Sequence, residues 1–249
     1  MPRTRYCIAN WKMNFTFSDG EGFIVEWKNK SLNNPHIKTI FCPSFTELFH
    51  LGELLKSSSC ELGAQDVFYE PSGAFTGEVS CGMLKEIGCQ WVIIGHSERR
   101  SLFGETDKMI QKKLHQIIAM DLSPILCIGE TIDERNSDLT KSVLNRQVSI
   151  ACNNIDINLL NKIVIAYEPV WAIGTGEIAT NEIVAKTHLD IRSILSDNGL
   201  KGDFISILYG GSVSPENAAT LSEIEDVDGF LIGGASLDVE KFYKIYNQL

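Results

Sequence analysis

The sequence predicts an α/β protein built as a single-domain, eight-stranded parallel (β/α)8 barrel over residues 1–249. Three observations predict it. Short apolar, β-branched runs recur eight times, with starts roughly 30 residues apart, the length of one strand plus its crossover helix. Several runs are continuous rather than alternating, such as Ile163-Val164-Ile165-Ala166, the pattern of a parallel strand covered on both faces. Polar and glycine residues gather just past the runs: Asn10, Lys12, His96, Glu168, Gly210-Gly211-Ser212 and Gly233-Gly234. In a barrel these C-terminal-end loops share one mouth. The length of 249 residues suits one such barrel. An open doubly wound sheet is the alternative, and the even spacing favours closure.

In chain order the strands are expected at 6–10, 38–42, 60–64, 90–94, 123–128, 162–167, 204–209 and 227–232. Helical faces lie between them. Ile110, Leu114, Ile117 and Ile118 follow the i, i+4, i+7, i+8 spacing. Val184, Ile191, Ile194 and Leu195 form a second face, with Thr180 as its N-cap. Ser214-Pro215-Glu216 reads as an N-cap followed by proline at the first helical position.

The net charge of −10 argues against a nucleic-acid or anionic-membrane surface. It leaves room for a small anionic substrate held locally by backbone amides. No apolar run approaches the roughly 18 residues of a membrane span. The first residues carry no apolar signal region, so a cytoplasmic location is expected. The seven cysteines are widely spaced and include no C-x-x-C pair. Scattered buried thiols in a reducing compartment are expected, rather than disulfides or a metal site.

Glu168 ends an apolar run and precedes Pro169. Desolvation there is expected to raise its pKa toward that of a useful base. The segment that follows, Pro169-Val170-Trp171-Ala172-Ile173-Gly174-Thr175-Gly176, is apolar in its middle, with proline on one side and glycines on the other. It reads as a lid. His96 follows Gly95 and precedes Ser97, so its ring is expected at a helix N-terminus, whose dipole lowers its pKa and keeps it neutral. A neutral imidazole donates a hydrogen bond to a carbonyl oxygen. Lys12, after Asn10-Trp11, would add positive potential at the same mouth. The paired glycines at 210–211 and 233–234 expose amides that suit a phosphate dianion. His188 is assigned to the apolar stripe of its helix.

Other motifs are discounted. Gly174-Thr175-Gly176-Glu177-Ile178-Ala179 fits G-x-G-x-x-A but does not directly follow a strand. Arg99 stands where a nucleophile elbow around Ser97 needs glycine. No Gly-Lys dipeptide is present for a P-loop, and no close histidine pair for a metal.

Together these segments resemble the triosephosphate isomerase family. The resemblance runs through Asn10-Trp11-Lys12-Met13-Asn14, Gly73-Ala74-Phe75-Thr76-Gly77-Glu78 and Gly95-His96-Ser97-Glu98-Arg99-Arg100. It continues through Cys127-Ile128-Gly129-Glu130, the 166–176 segment and Tyr209-Gly210-Gly211-Ser212-Val213 to Asp228–Ala235. It implies a TIM barrel that interconverts dihydroxyacetone phosphate and D-glyceraldehyde 3-phosphate through an enediolate, in glycolysis and gluconeogenesis, with no cofactor and no metal. By resemblance Glu168 is the base, His96 and Asn10 stabilise the oxygen charge, and Lys12 balances the substrate. Glu98 contacts Lys12. Amides of Gly174, Ser212, Gly233 and Gly234 grip the phosphate under a lid of residues 169–176. The family resemblance further implies a homodimer in which the loop of about residues 65–79 crosses over, bringing Thr76 to the partner subunit's site. Asp66 departs from the family's uncharged amide. An unpaired carboxylate at the interface would cost stability, so Asp66→Asn is expected to stabilise the dimer. A Schiff-base aldolase using Lys12 and a non-catalytic phosphate-binding barrel are the rivals. Borohydride trapping of Lys12 would distinguish the first, and the presence of Glu168 and His96 argues against the second.

Overall fold

A computed structural model describes residues 3–32, 34–172 and 179–249. Its strands are β1 (Arg5–Asn10), β2 (Ile37–Cys42), β3 (Glu61–Ala64), β4 (Trp91–Ile94), β5 (Ser123–Ile128), β6 (Val164–Tyr167), β7 (Ile207–Tyr209) and β8 (Gly229–Ile232). Each pairs in parallel with the next, and β1 pairs with β8 through Tyr6↔Gly229 to Ala9↔Ile232. The sheet therefore closes on itself, and the eight-stranded parallel barrel expected from the sequence is the fold.

The continuous apolar strands serve two cores. Ile8, Ile40, Ile93, Ile125, Ala166, Leu208 and Leu231 point into the barrel and pack together. Their neighbours along the same strands, including Ala9, Phe41, Val92, Ile94, Leu126, Ile165, Ile207 and Phe230, face outward against the helices. Strict alternation of inward and outward residues, both buried, needs apolar side chains at every position. The outer core is richest in aromatics beside β1 and β2. There Trp11 meets Phe23 edge-on at 5.1 Å, and Trp27 lies 5.0 Å from Phe242.

The expected helical faces are buried as read. Ile110, Leu114 and Ile117 line the inner face of helix Asp107–Ala119, with Ile118 packed at its edge. Val184, Ile191, Ile194 and Leu195 do so for Asn181–Asp197, which Thr180 caps by accepting from the Ile183 amide. His188 is fully buried on that helix, its Nδ1 2.8 Å from the Asp226 carbonyl, and burial lowers its pKa to about 4.

Four boundaries differ from expectation. The approaches to β6 and β7 wind into short 3-10 turns, Ile157–Lys162 and Gly202–Phe204, so those strands start later. β8 begins at Gly229, whose φ of +132° lets its backbone pass close to Tyr6; a Cβ there would lie 2.0 Å from the Tyr6 carbonyl oxygen. The helix expected at Pro215 begins at Ala218. Ser214 and Asn217 close a turn instead: the Ser214 hydroxyl accepts from the Glu216 amide, and the Asn217 side chain accepts from the Ser214 amide. All seven cysteines are free, and all but Cys152 are buried.

Candidate active site

The ends of β1, β4, β6, β7 and β8 converge on one cavity of about 420 Å³. Asn10, Lys12, His96, Glu98, Glu168, Ser212, Gly233 and Gly234 all line it, as does Val170 from the start of the expected lid. The expected catalytic and substrate-binding residues that the structure describes are therefore brought together, while the lid positions Pro169, Trp171 and Ala172 do not line the cavity. Gly174 and the lid positions Ile173, Thr175 and Gly176 lie outside the described residues.

Glu168 is 2% exposed. One carboxylate oxygen accepts from the Ser97 amide at 2.8 Å, and the other lies 3.0 Å from Nε2 of His96. The second approach is a charge contact, because that oxygen has no aligned hydrogen-bond donor. Ser97 opens helix Ser97–Leu102, so its free amide and the helix dipole both favour an anion there. His96 caps the same helix, its Nδ1 accepting from the Glu98 amide at 3.3 Å.

This geometry corrects two expectations about charge. Burial pushes the Glu168 pKa up, but His96 and the Ser97 amide outweigh it and hold the carboxyl below its usual value. Burial pulls the His96 pKa down, yet the adjacent Glu168 carboxylate raises it overall. Reading each residue alone missed their mutual contact, which reverses both signs.

Lys12 sits in the left-handed region, with φ of 55°. A non-glycine residue held there signals local constraint, and two contacts supply it. The Gln65 amide donates to the Lys12 carbonyl at 2.7 Å and to the Cys42 carbonyl at 2.9 Å. The Asn10 side chain accepts from the Lys12 amide at 3.2 Å. Lys12 Nζ meets Glu98 at 2.6 Å, an ion pair that suits an electrostatic more than a nucleophilic role. Gln65 stands at the start of the expected crossing loop, and no motif around it marks this contact.

The structure places the first part of the expected lid. Val170–Ala172 forms one 3-10 turn; Pro169 and Ala172 are buried. Trp171 Nε1 donates to Glu130 at 3.0 Å, and the same oxygen takes the Tyr167 hydroxyl and Arg135 Nη1, each at 3.1 Å. The Arg135 guanidinium also lies 5.0 Å from the Trp171 ring centre. Glu130 is completely buried. A carboxylate one residue past Gly129, beyond the apolar run of β5, carries the same sequence signal as Glu168.

Asp66 differs from the expected lone carboxylate. It is buried and paired within its own chain: Lys113 lies 2.6 Å from one oxygen and Arg99 2.9 Å from the other. Lys113 also contacts Glu105. Burial raises the Asp66 pKa, with Lys113 pulling it down. The carboxylate is therefore not lone, but its partners offset only part of the burial cost, which leaves its pKa raised.

Among the described residues no group of three His, Cys, Asp or Glu side chains is placed to hold a metal, and no helix is long and apolar enough to cross a membrane.

Comparison with known proteins agrees along nearly the whole chain. A sequence profile of triosephosphate isomerase matches residues 5–249. The chain is 45% identical over 243 residues to the triosephosphate isomerase of Aquifex aeolicus, covering 97% of this chain and 98% of that one. It is 45% identical over 248 residues to that of Thermodesulfovibrio yellowstonii, covering 98% and 99%. Against that of Endomicrobium trichonymphae it is 44% identical over 238 residues, covering 95% of each. The buried acid beside a histidine, at the mouth of a closed eight-stranded barrel and within a sequence matched almost end to end, belongs to a member of the triosephosphate isomerase family.

Proposed function

We propose that this protein interconverts dihydroxyacetone phosphate and D-glyceraldehyde 3-phosphate, with Glu168 carrying the proton between adjacent carbons. The observation that carries the reading is the placement of Glu168 and His96, 3.0 Å apart and both buried, in the cavity that Lys12 and the glycine turns also line.

A buried carboxylate abstracts a carbon-bound proton only when its charge is available. In the geometry described, the Ser97 amide and His96 hold that charge. Turning away from them toward substrate would remove both stabilising contacts and leave desolvation to raise the basicity of Glu168. The same movement would take from His96 the carboxylate that raises its pKa. Burial and the helix terminus would then favour neutral imidazole, with Nδ1 still accepting from Glu98 and Nε2–H free to donate. That donor and the Asn10 amide stabilise the enediolate oxygen, and Lys12 offsets the combined charge of phosphate and intermediate. Glu98 orients Lys12. Ser212, Gly233 and Gly234 offer backbone amides to the phosphate, joined by Gly174 in the closed lid. Residues 169–176 exclude water, which protects an enediolate from losing phosphate.

The reading extends to one isomerase domain over 1–249, acting in cytoplasmic glycolysis and gluconeogenesis as a homodimer. Support for the dimer is an apolar rim beside the cavity. Met13 is 95% exposed, and Phe45 and Phe103 are exposed next to it. These three residues line a second hollow of about 250 Å³ that shares Asn10 and Lys12 with the first. Thr76 stands exposed on a loop stiffened by Phe68 against Phe75, 4.7 Å apart, a shape suited to the same hollow on a second copy.

A coupled assay with D-glyceraldehyde 3-phosphate, without added metal or nucleotide cofactor, tests the activity. Turnover that Glu168→Gln abolishes is expected. No turnover by the wild type, or full turnover by the variant, rejects the reading. Sedimentation equilibrium at micromolar concentration tests the dimer, and a monomeric mass rejects it.

A further inference from the structure

We infer that Gln147 is a positioning residue of this reaction, acting through the backbone of Gly129 on both Glu168 and the anchor of Trp171. Gln147 lies on helix Thr140–Cys152, in an inward stripe with Val143, Leu144, Val148 and Ala151, where an apolar residue would satisfy packing. Its side chain is instead spent on one peptide unit pair. The amide nitrogen donates to the Gly129 carbonyl at 3.0 Å, and the amide oxygen accepts from the Gly129 N–H at 2.9 Å.

The topology explains why Gly129 needs this. Beyond the end of β5 the ladder toward β6 continues through alternate residues. The Glu168 amide donates to Ile128, at 2.8 Å, and the Val170 amide to Glu130, at 3.2 Å. Gly129, between them, faces the other side. There β4 has already ended: its pairing with β5 stops at Ile94↔Leu126, and the chain turns off at Gly95, with φ of +69°. Both backbone groups of Gly129 thus lack a strand partner in a buried place, and buried backbone groups require one. Gln147 supplies the donor and the acceptor that a further strand residue would have supplied.

Gly129 also touches the catalytic strand directly. A Cβ at this position would sit 1.8 Å from the Glu168 carbonyl oxygen and 2.8 Å from its carbonyl carbon. A displacement of Gly129 therefore displaces the main chain that carries the Glu168 side chain. On its other side Gly129 carries Glu130, which holds Trp171. One amide fixes the height of the base and the anchor of the lid.

The inference rests on the isomerase reading, and the test separates the two. Gln147→Met removes both hydrogen bonds at similar size. It is expected to lower kcat by about 10- to 100-fold with little change in KM, the scale of a catalytic group misplaced by about 1 Å. Gln147→Glu gives the decisive signature. A neutral carboxylic acid offers one donor and one acceptor, as the amide does, whereas a carboxylate cannot donate to the Gly129 carbonyl. Burial and the nearby Glu130 carboxylate favour the neutral form of the new acid. Its kcat is expected to approach wild type at acid pH and to fall toward that of Gln147→Met as the pH rises, with near-UV circular dichroism unchanged. Wild-type kcat in Gln147→Met, a pH-independent loss in Gln147→Glu, or loss of dichroism in step with kcat each overturns the inference. An inactive wild type would instead reject the isomerase reading. Full activity in Gln147→Met beside an inactive Glu168→Gln rejects only the role of Gln147.

Discussion

Nε2 of His96 and Oε1 of Glu168 lie 3.0 Å apart at the mouth of the barrel, and each governs the proton affinity of the other. The His96 pKa is raised and the Glu168 pKa lowered. The signs fix a pH window. Glu168, depressed when folded, adds stability above its ordinary value of 4.5 and loses it as pH falls through the lower folded value. His96, raised when folded, adds stability below its ordinary value of 6.5 and loses it as pH climbs through the higher folded value. The pair is fully formed between those two ordinary values. An NMR titration of the His96 ring should give a midpoint above 6.5 in the resting enzyme. In Glu168→Gln, where burial is left to act, the midpoint should fall below the ordinary value. An unchanged midpoint would show that Glu168 does not set the charge of His96.

Glu168→Asp tests position rather than charge. The shorter arm withdraws the carboxylate by about 1 Å, and a displacement of that size costs on the order of 10²-fold in rate. The expected result is a fall in kcat with a modest change in KM, read in the coupled assay. The Ser97 amide and His96 contacts would be lost in the same variant, so its His96 titration should move toward that of Glu168→Gln. Turnover like wild type would remove Glu168 as the base.

The barrel was legible because its cause is local and repeated. Ile163-Val164-Ile165-Ala166 has no polar face, and Ile165 and Ala166 indeed serve the outer and inner cores. The mouth residues were legible because loops after strands must converge once the sheet closes. What single residues hide is their partners. Glu168 and His96 are 72 positions apart, and nothing near either announces that they touch. The same holds for Asp66, which looked unpaired until Lys113 and Arg99 arrived from later segments. Gln147 was detectable in principle as a polar residue at helical spacing within an apolar stripe, but its partner is a backbone, which leaves no mark in sequence.

Among the described residues Arg135 is the only cation paired with the buried carboxylate of Glu130, and it also covers Trp171. Arg135→Met should leave that carboxylate uncompensated and cost about 3 kcal/mol of stability, the usual scale for removing one partner of a buried pair. Tryptophan emission should shift as the Trp171 anchor loosens. Arg135→Lys, which restores charge without the planar stack, should recover more of the stability than of the emission. Unchanged stability and emission in Arg135→Met would show that Glu130 is satisfied by Tyr167 and Trp171 alone.

Asp66→Asn weighs burial against pairing. From the sequence, a lone carboxylate at an expected interface should be better replaced by an amide. In the structure Asp66 and Glu105 face Lys113 and Arg99, two acids against two bases. The Lys113 side chain is only 3% exposed. Neutralising Asp66 leaves two cations sharing one acid away from water. An asparagine oxygen still accepts a hydrogen bond from Lys113, and the amide is spared the burial cost that keeps the Asp66 pKa raised, so the net change should be small, within about 1 kcal/mol. For a chain of this length that corresponds to a Tm within roughly 2–4 °C of the wild type. Calorimetry of both forms at matched protein concentration reads it directly. A Tm raised beyond that range would mean that burial outweighs the pairing with Lys113 and Arg99, the sign expected from the sequence, and one lowered beyond it that the pairing dominates.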